Sequence, residues 1–556
     1  MPSDLTNPMT NGQTVTPLSM LYYWEATRGD EPYLFQPVNG ELQKYTWSEV
    51  GNLARRVARR LQQMALPEGS RISILSKNCV EWFVVDLGIM MAGHVSVPIF
   101  STAGAQTIDY VLRHSDAKLV FVGKLDEPEK QIAAIDPAIP TVAFPYPGTT
   151  ADQYWPEFID CPPIETSPLP DLAKIMTIIY TSGSTGQPKG VVHTYETICW
   201  AAQHALESLT LSQQDRMVSY LPLAHITERV LVELASFYAG EQIYFVESLE
   251  TFQRDVQACE PTLFVSVPRL WTKFQMGILS KIPQNKLDIL LRIPLVKNLI
   301  AKKVRKGLGL DRTRLWASGS APLAPAVIRW FARLGICISE GWGMTENSAY
   351  GSAVVPFRLD KIGTIGRPYK GVSIRISDEG EIQVKSPCNM TEYYLDPEKT
   401  AEVFTEDGYL KTGDKGVIDE EGYIRITGRL KDIFKTAKGK YVTPSPIEAK
   451  LMQNSLIEQV CVTGSNLPQP IALLVLSEDS RSMGRDALGR SLNKTLNEVN
   501  LTLESHQKLD RVIVLDEPWT VENDLLTPTL KVKRHILEAR FNDIIQADYS
   551  DKLVWL

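Results

Sequence analysis

One glycine-rich segment constrains this chain more than any other stretch. Residues 180–190 read Tyr-Thr-Ser-Gly-Ser-Thr-Gly-Gln-Pro-Lys-Gly, and they follow a β-branched run at 175–179 that predicts a strand. Glycines let a backbone approach a ligand closely, backbone N–H groups and hydroxyls donate hydrogen bonds, and Lys189 supplies charge. The segment therefore predicts a loop that wraps a polyphosphate at the end of a buried strand.

This loop differs from the common phosphate-binding loop of kinases and GTPases. That loop ends in Gly-Lys-Ser/Thr, whereas Lys189 is followed by Gly190 and Val191. The difference indicates nucleotide chemistry of another kind and argues against a phosphotransferase. A flexible Gly/Ser linker is the plain alternative, although linkers seldom follow a buried strand directly.

The segments before the loop alternate between strand and helix patterns. Thr46 and Glu49 form a capping box, and Leu53, Val57 and Leu61 follow it at helical spacing. Further along, strands are predicted at 71–75, 95–99 and 119–122, and helices at 80–91 and 107–114. This alternation predicts an α/β domain with a largely parallel sheet.

The 556 residues are too many for one hydrophobic core, so several domains are expected. Residues 137–170 are rich in proline and acidic residues and predict a connection over the surface. A second α/β stretch runs from about 191 to 350. After 360, the alternation at 381–385 and recurring glycine turns predict a β-rich subdomain, and the stretch from about 430 is long enough to be a separate domain.

The composition is ordinary for a globular protein, with 44% hydrophobic and 22% charged residues. The net charge of −7 gives no reason to expect a nucleic-acid partner. The seven cysteines are scattered and contain no Cys-x-x-Cys pair, so neither a disulfide framework nor a zinc site is expected. A reducing cytoplasm fits this pattern best.

Membrane insertion is not expected. The N-terminus lacks the features of a signal peptide. The most apolar window, 82–100, contains Asp86, His94 and Pro98, so it predicts a buried helix, a turn and a strand. Arginines 55, 56, 59 and 60 lie mainly off the apolar stripe of their helix. They are predicted to form a solvated face, with phosphate or lipid-headgroup contact as the alternative, so peripheral membrane contact stays open.

Seven further short segments occur in a fixed order along the chain. They are Leu-Pro-Leu-Ala-His at 221–225, Ser-Gly-Ser-Ala-Pro at 318–322, Glu-Gly-Trp-Gly-Met-Thr-Glu at 340–346, Gly-Thr-Ile-Gly-Arg-Pro at 363–368, Tyr-Leu-Lys-Thr-Gly-Asp at 409–414, Gly-Arg-Leu-Lys-Asp at 428–432 and Thr-Pro-Thr-Leu-Lys at 527–531. In this order and spacing the chain resembles the adenylate-forming (AMP-binding) superfamily, from about residue 20 to 545. Within it, the segments around His225, Trp271 and Lys531 resemble bacterial long-chain fatty acyl-CoA synthetases.

The resemblance implies a fold and a division into domains. It implies an α/β protein whose large N-terminal domain, residues 1–428, has α/β subdomains and a β-rich subdomain. A hinge at 429–432, with Lys431 at its centre, would connect this domain to a small mobile α+β domain at 433–556. The small domain would present a lysine in one orientation and a thiol channel in the other.

The resemblance also assigns the residues around the nucleotide. Activating a carboxylate with ATP brings two anions together, so Mg²⁺ and directed donors are needed. Glu346 is a suitable oxygen ligand for Mg²⁺ and Thr345 can donate to the α-phosphate, a helix cap with a surface Glu being the plain alternative. Trp342 would offer a face to adenine beside Gly343, unless it serves core packing alone. The remaining contacts implied are Gly319, Ser320 and Ala321 along the base edge, and Asp414 and Arg429 on the ribose.

The phosphates and the reacting carboxylate have their own set of residues. The implied phosphate-binding residues are Thr181, Ser182, Gly183, Ser184, Thr185, Gly186 and Lys189. Lys531 would bridge the acyl carboxylate and the phosphate, but Leu530 stands where the family has glycine. Lys533 therefore remains an alternative, and a solvated basic run is the plain reading. His225 would lie at the mouth of the acid pocket, or be a satisfied buried histidine.

The expected reaction has two steps. A long-chain fatty acid and ATP give acyl-AMP and pyrophosphate, and acyl-AMP then reacts with coenzyme A, whose phosphates would meet Lys438 and Gly439. An acyl carrier protein as acceptor, an aryl or medium-chain acid, and an inactive lipid- or nucleotide-binding homologue are the alternatives. Residues 389–394 depart from the family's Gly-Tyr-Tyr ending at Thr391 and Glu392, and the sequence gives this departure no function.

Overall fold

The computed structural model describes residues 6–181, 187–478, 480, 483–527 and 530–556. Strands and helices are numbered in chain order. The largest sheet has eight strands in the order β19-β9-β8-β4-β3-β5-β6-β7, and all of its pairs are parallel except β8–β9 and β9–β19. Its strands are β3 Arg71–Leu75, β4 Val95–Ile99, β5 Ala117–Val122, β6 Thr141–Ala143, β7 Gln153–Tyr154, β8 Ile175–Thr181, β9 Lys189–Thr194 and β19 Glu392–Tyr393.

Helices cover this sheet because its strands are apolar on both faces. They are α1 Pro17–Arg28, α2 Trp47–Gln63, α3 Val80–Met91, α4 Ala105–Ser115, α5 Pro128–Ile132, α6 Trp155–Phe158 and α7 Tyr195–Leu209. The capping box at Thr46 and Glu49 forms as predicted, with the Thr46 hydroxyl accepting from the Glu49 N–H. Every residue of α3 is buried, which explains why its sequence is apolar all round.

Two predictions about this region need correction. Residues 137–170 are more than a surface connection, because β6 and β7 extend the sheet; strands of three and two residues are too short to give a periodic signal. The four arginines of α2 do not form a solvated face. Arg55 pairs with Glu25, while arginines 56, 59 and 60 donate to main-chain carbonyls between residues 157 and 163.

Two smaller sheets complete the α/β part. One has the order β10-β11-β1-β2, from β1 Pro32–Val38, β2 Glu41–Thr46, β10 Arg216–Ser219 and β11 Gln242–Phe245. The other runs from β12 to β16 in sequence order, from β12 Leu263–Ser266, β13 Leu315–Ser318, β14 Ile338–Trp342, β15 Ser352–Ala353 and β16 Arg367–Pro368. Their helices are α8 Ile226–Glu228, a π-helical turn at Arg229–Leu234, α9 Ala235–Ala239, α10 Phe252–Cys259, α11 Pro268–Lys281, α12 Gln284–Leu290, α13 Pro294–Leu308 and α14 Pro325–Ala332.

The β-rich part is an antiparallel sheet in the order β17-β18-β20-β21. Its elements are β17 Ser373–Ile376, β18 Glu381–Lys385, α15 Pro397–Val403, β20 Leu410–Ile418 and β21 Ile424–Arg429. The strand at 381–385 was predicted from its alternation. Together with the preceding layers this confirms a large α/β domain that includes a β-rich part.

The C-terminal part has its own hydrophobic core. Its elements are β22 Phe434–Lys435, β23 Tyr441–Val442, α16 Pro444–Leu451, β24 Ile457–Thr463, β25 Ile471–Leu476, α17 Arg485–Leu501, β26 Val512–Leu515, α18 Arg534–Arg540, α19 Asn542–Gln546 and β27 Leu553–Trp555. The buried clusters on the two faces of the β24-β25-β26-β27 sheet contain only residues after 433. In the described chain, no helix has the length and apolar character needed to cross a bilayer.

Candidate active site

The candidate site lies where several strands end. The β8–β9 hairpin carries the glycine-rich loop, with Thr181 opposite Lys189 in register. Residues 182–186 fall outside the described residues, so the predictions for Ser182, Gly183, Ser184, Thr185 and Gly186 stay predictions. The ends of β13 and β14 lead into Gly319 and Trp342, and β20 carries Asp414. Strand ends of α/β sheets are the usual place for ligands, because backbone donors converge there.

The predicted base-edge residues form a tight turn after β13. The Gly319 N–H donates to the Ser266 carbonyl at 3.2 Å, and Ser320 adopts a left-handed conformation with φ of 65°. This conformation is uncommon for a residue other than glycine, and such strain concentrates at functional sites. Ser320 and Ala321 are exposed in this turn, directly after the end of β13.

Trp342 and Asp414 are joined directly. The indole Nε1–H donates to one Asp414 carboxylate oxygen at 3.1 Å, and the Arg429 guanidinium contacts the other at 2.8 Å. Asp414 is buried, whereas Arg429 is half exposed. One face of the Trp342 ring covers Gly351, where an added Cβ would lie 2.5 Å from the ring. Both partners leave lone pairs on Asp414 for the hydroxyls of a ribose.

Glu346 is held by a residue that the sequence left without a role. The Tyr393 hydroxyl donates to Glu346 Oε1 at 2.8 Å, and the Met390 N–H donates to the Glu346 carbonyl at 2.7 Å. Tyr393 is positioned by β19, which pairs with β9 immediately after the glycine-rich loop. The departure at Thr391 and Glu392 thus leaves in place the tyrosine that contacts Glu346. Only its context differs from the family pattern.

His193 is a second residue that the sequence analysis missed. It is completely buried on β9, and its Nε2 donates to the Thr345 carbonyl at 2.7 Å. Its other ring nitrogen faces the hydroxyls of Thr197 and Ser348, at 3.3 and 3.4 Å. Burial lowers the pKa of His193 to about 4, so the ring is neutral and acts as a positioning donor. The only sequence signal was its place four residues after Lys189.

Lys531 lies in the same cleft as Glu346 and Asp414. Its side chain is reached by solvent, but protein surrounds the cleft and limits the water around the ammonium. This burial and the neighbouring Arg429 guanidinium lower the pKa of Lys531, while the carboxylates of Asp414 and Glu346 oppose that shift. The charges of Asp414 and Glu346 therefore both act on the Lys531 ammonium.

The other candidate lysine, Lys533, faces elsewhere. Its ammonium pairs with Asp524 on the same C-terminal part. His225 lies on the Lys531 side of the cleft, with Phe100 edge-on to its ring. Burial and the Lys531 charge lower the pKa of His225 to about 4. Its Nδ1 accepts from the Thr227 N–H at 3.2 Å, so the ring caps α8.

Lys189 lies beside Tyr393, the residue that contacts Glu346. Its ammonium sits 5.0 Å from the centre of the Tyr393 ring, and burial together with the charges of Lys399 and Lys431 lowers its pKa. Lys438 and Gly439 are different, because they form the exposed turn between β22 and β23. Within the described residues, no hydrogen bond or ion pair joins this turn to Glu346, Asp414 or Lys531.

The side chains present fit one Mg²⁺ ion held mainly by substrate. In the described part of the chain there is no group of three or more His, Cys, Asp or Glu side chains that could hold a metal. Glu346 offers a hard oxygen, since the Tyr393 hydroxyl contacts only its Oε1. Mg²⁺ usually takes one or two protein carboxylates and completes its shell with phosphates and water, so this donor set suits it.

The fold and the site define an adenylate-forming enzyme, and the chain belongs to the AMP-binding enzyme family. The family model matches residues 22–394, and the model of the AMP-binding enzyme C-terminal domain matches residues 431–553. Enzymes of this kind bind ATP and AMP.

Relatives and solved structures agree with this assignment. The chain is 29% identical to the long-chain-fatty-acid–CoA ligase FadD15 of Mycobacterium bovis, over 98% of both chains. It is also 29% identical to fatty acyl-CoA synthetase A of Dictyostelium discoideum, over 90% of this chain and 84% of the relative. Its fold matches the adenylation domain of a carboxylate reductase from Mycobacterium chelonae with a TM-score of 0.81 and 23% identity, covering 97% of this chain and 91% of that one.

Proposed function

We propose that the protein is an AMP-forming long-chain fatty acid–CoA ligase. One observation supports the proposal most strongly: the carboxylates of Asp414 and Glu346 in the N-terminal part act on the pKa of Lys531, which comes from the C-terminal part. A cation between a nucleotide site and a carboxylate is what acid activation requires, because both reactants are anions.

In the first step, a carboxylate oxygen of the acid forms a bond to the α-phosphorus of ATP, and the bond to the pyrophosphate oxygen breaks. Trp342 and the turn at 319–321 would hold the base, and Asp414 with Arg429 the ribose. Lys531 would neutralise the incoming carboxylate and the α-phosphate. Glu346 would hold Mg²⁺, which supplies charge neutralisation at the phosphates.

In the second step, the thiolate of CoA attacks the acyl carbonyl, and AMP leaves with the electron pair of the broken C–O bond. The exposed turn with Lys438 and Gly439 is outside the cleft, so it would reach the nucleotide only after the C-terminal part turns about residues 429–432. This division into residues 1–428, a hinge and residues 433–556 is part of the proposal. The separate hydrophobic cores on either side of the hinge support it.

The choice of a long-chain acid rests on the relatives. Both relatives described above carry fatty acyl names, but at 29% identity they support the acid's class and leave its length open. Each methylene of an alkyl chain buried in an apolar pocket contributes about 0.8 kcal/mol, which favours long chains over short ones.

A panel of acids tests the proposal. Acid-dependent pyrophosphate release is measured from acetate to palmitate, with benzoate and coumarate included, and product masses are read without acceptor, with CoA and with holo-acyl carrier protein. We expect C12–C18 acids to be preferred and the thioester to form with CoA. A tenfold preference for short or aromatic acids would replace this assignment with a ligase for those acids. A thioester that forms with the carrier protein alone would replace it with an acyl carrier protein ligase. No pyrophosphate release with any acid would indicate an inactive homologue.

A further inference from the structure

The hairpin of α12 and α13 carries an exposed apolar patch outside the candidate site. Ile289, Ile293, Leu295 and Leu299 expose 62, 48, 86 and 68% of their surface. The opposite side of α13 already buries Ala301 and Leu308 against the protein. These four side chains leave about half or more of their surface in solvent, and four such apolar side chains within eleven residues are the kind of feature that marks an interaction surface.

A strong positive charge surrounds this patch. Residues 281–306 contain eight lysines and arginines and one aspartate, in a chain whose net charge is −7. Asp288 is neutralised by Arg333, and Arg305 pairs with Asp311. The other seven basic residues of the segment form no ion pair within the described chain; they are Lys281, Lys286, Arg292, Lys297, Lys302, Lys303 and Lys306.

The two features share one helix face. On α13, Leu295 and Leu299 are followed by Lys302, Lys303 and Lys306, which continue at helical spacing along the exposed side. The exposed face of α13 thus carries leucines near its N-terminal end and lysines near its C-terminal end. The leucine side chains can enter the acyl boundary of a bilayer. Long lysine side chains then reach the headgroups.

We propose that this α12–α13 surface docks the protein on an anionic lipid surface. A second copy of the chain fits less well, because a two-fold interface would place the same seven unpaired cations of each copy against one another. Anionic headgroups provide the complementary charge, and each lysine near such a surface strengthens binding about fivefold. The arginines of α2 were the other candidates for headgroup contact, but Arg55 pairs with Glu25 and the other three donate to main-chain carbonyls.

The docking surface is connected to the layer that carries the site. Helix α11 leads into α12, and the Trp271 indole on α11 donates to the Ala317 carbonyl at 3.2 Å. Ala317 lies on β13, two residues before Gly319. Docking would therefore hold the β12–β14 layer close to the membrane. The proposal concerns binding alone, so it stands or falls independently of the acid that the enzyme activates.

Co-sedimentation of the full chain with vesicles tests the proposal. The vesicles are phosphatidylcholine alone or phosphatidylcholine with about one third phosphatidylglycerol, at low and high salt. The apolar variant combines Leu295→Ser with Leu299→Ser, and the basic variant combines Lys302→Ser, Lys303→Ser and Lys306→Ser. The matched control combines Leu249→Ser with Leu501→Ser, which are exposed by 80 and 84% and lie outside the surface.

We expect salt-sensitive binding to the anionic vesicles, weak binding to the neutral ones, and at least tenfold weaker binding by both surface variants but not by the control. Equal binding to both vesicle types, no binding, or equal losses in the control would overturn the proposal. A dimer that only the surface variants dissociate would also overturn it, because the α12–α13 surface would then bind a second copy of the chain. Binding of an acidic carrier protein in place of vesicles would contradict it as well.

Discussion

At the residue scale, the site depends on two side chains that touch no substrate in the proposed reaction. Tyr393 donates to Glu346, and His193 donates to the carbonyl of Thr345. His193 lies on β9, which begins at Lys189, and Tyr393 lies on its partner strand β19. The Thr345–Glu346 turn is therefore held by the strand that carries Lys189 and by that strand's neighbour, so the proposed positions of the phosphates and the metal are set relative to each other.

Tyr393→Phe should weaken adenylation by about 10-fold, since a hydrogen bond to a charged group contributes about 1.5–3 kcal/mol. Phenylalanine keeps the ring face that Lys189 covers, so only the contact with Glu346 is lost. Pyrophosphate release as a function of Mg²⁺ concentration is the measurement, and half-saturation should shift upward. Tyr394→Phe is the control. An unchanged Mg²⁺ dependence would remove Tyr393 from the magnesium-side network.

His193→Leu should reduce acyl-AMP formation by about 10-fold, because the Thr345 carbonyl loses its buried donor. His193→Gln should recover much of this loss, since its amide nitrogen can replace Nε2. The measurement is adenylation compared with conversion of supplied acyl-AMP to acyl-CoA, and the second step should change little. Equal defects in both variants at equal thermal stability would show that the ring, and not the donor, is needed.

At the scale of elements, the sequence predicted a helix or strand correctly where the periodic pattern of that element alone determined it. The strands at 71–75 and 95–99 and the helix at 80–91 were predicted with the bounds that the structure has. The roles of the α2 arginines and the edge strands β6 and β7 were not. Arginines 56, 59 and 60 donate to carbonyls 97–105 residues away, and β6 and β7 are too short to show a period. Tyr393 and His193 were missed because each acts through a contact with residues distant in sequence, in the turn after β14.

Helix α8 ends in a buried carboxyl, Glu228, that makes stability depend on pH. Burial raises the pKa of Glu228 to about 8, although Ser219 and the Tyr220 N–H donate to it. The folded state therefore binds this proton more tightly than the unfolded chain does. Its stabilising effect is present at low pH and is lost as pH rises towards about 8.

Glu228→Gln should remove this pH dependence while keeping the acceptor oxygen. The variant should gain unfolding free energy relative to the parent as pH rises, by about 2–3 kcal/mol between about pH 6 and pH 8. Urea unfolding of both proteins across this range is the measurement. Parallel stability profiles would mean that Glu228 does not change its protonation there.

At the scale of the whole molecule, the proposed reaction needs the C-terminal part to move. Gly428 marks the boundary, because a Cβ there would lie 2.1 Å from the Thr443 side chain and force the two parts apart. The Leu430–Asp432 turn follows it directly, and the exposed Arg269–Glu458 ion pair across the boundary is worth little.

Lys431→Pro should slow the thioester step more than adenylation, because proline fixes φ in the turn about which the C-terminal part would rotate. Lys431→Ala is the matched control, since it removes the charge near Lys189 without fixing the backbone. The two half-reactions are measured separately, with acyl-AMP supplied for the second. If proline slows both steps equally, or if alanine reproduces its effect, the turn is not a hinge.

The central claim is that Lys531 from the C-terminal part acts on the adenylation step. Lys531→Ala should lower acyl-AMP formation by about 10²-fold or more, as loss of a charge-stabilising group does. It should still convert supplied acyl-AMP and CoA to acyl-CoA. Lys533→Ala should affect adenylation much less, because Lys533 pairs with Asp524 away from the cleft.

Pyrophosphate release by these two variants, with acyl-AMP conversion measured alongside, is therefore the most direct measurement. A selective loss of adenylation in Lys531→Ala alone is the result that we predict. The same loss in Lys533→Ala instead, or in neither variant, would contradict the account.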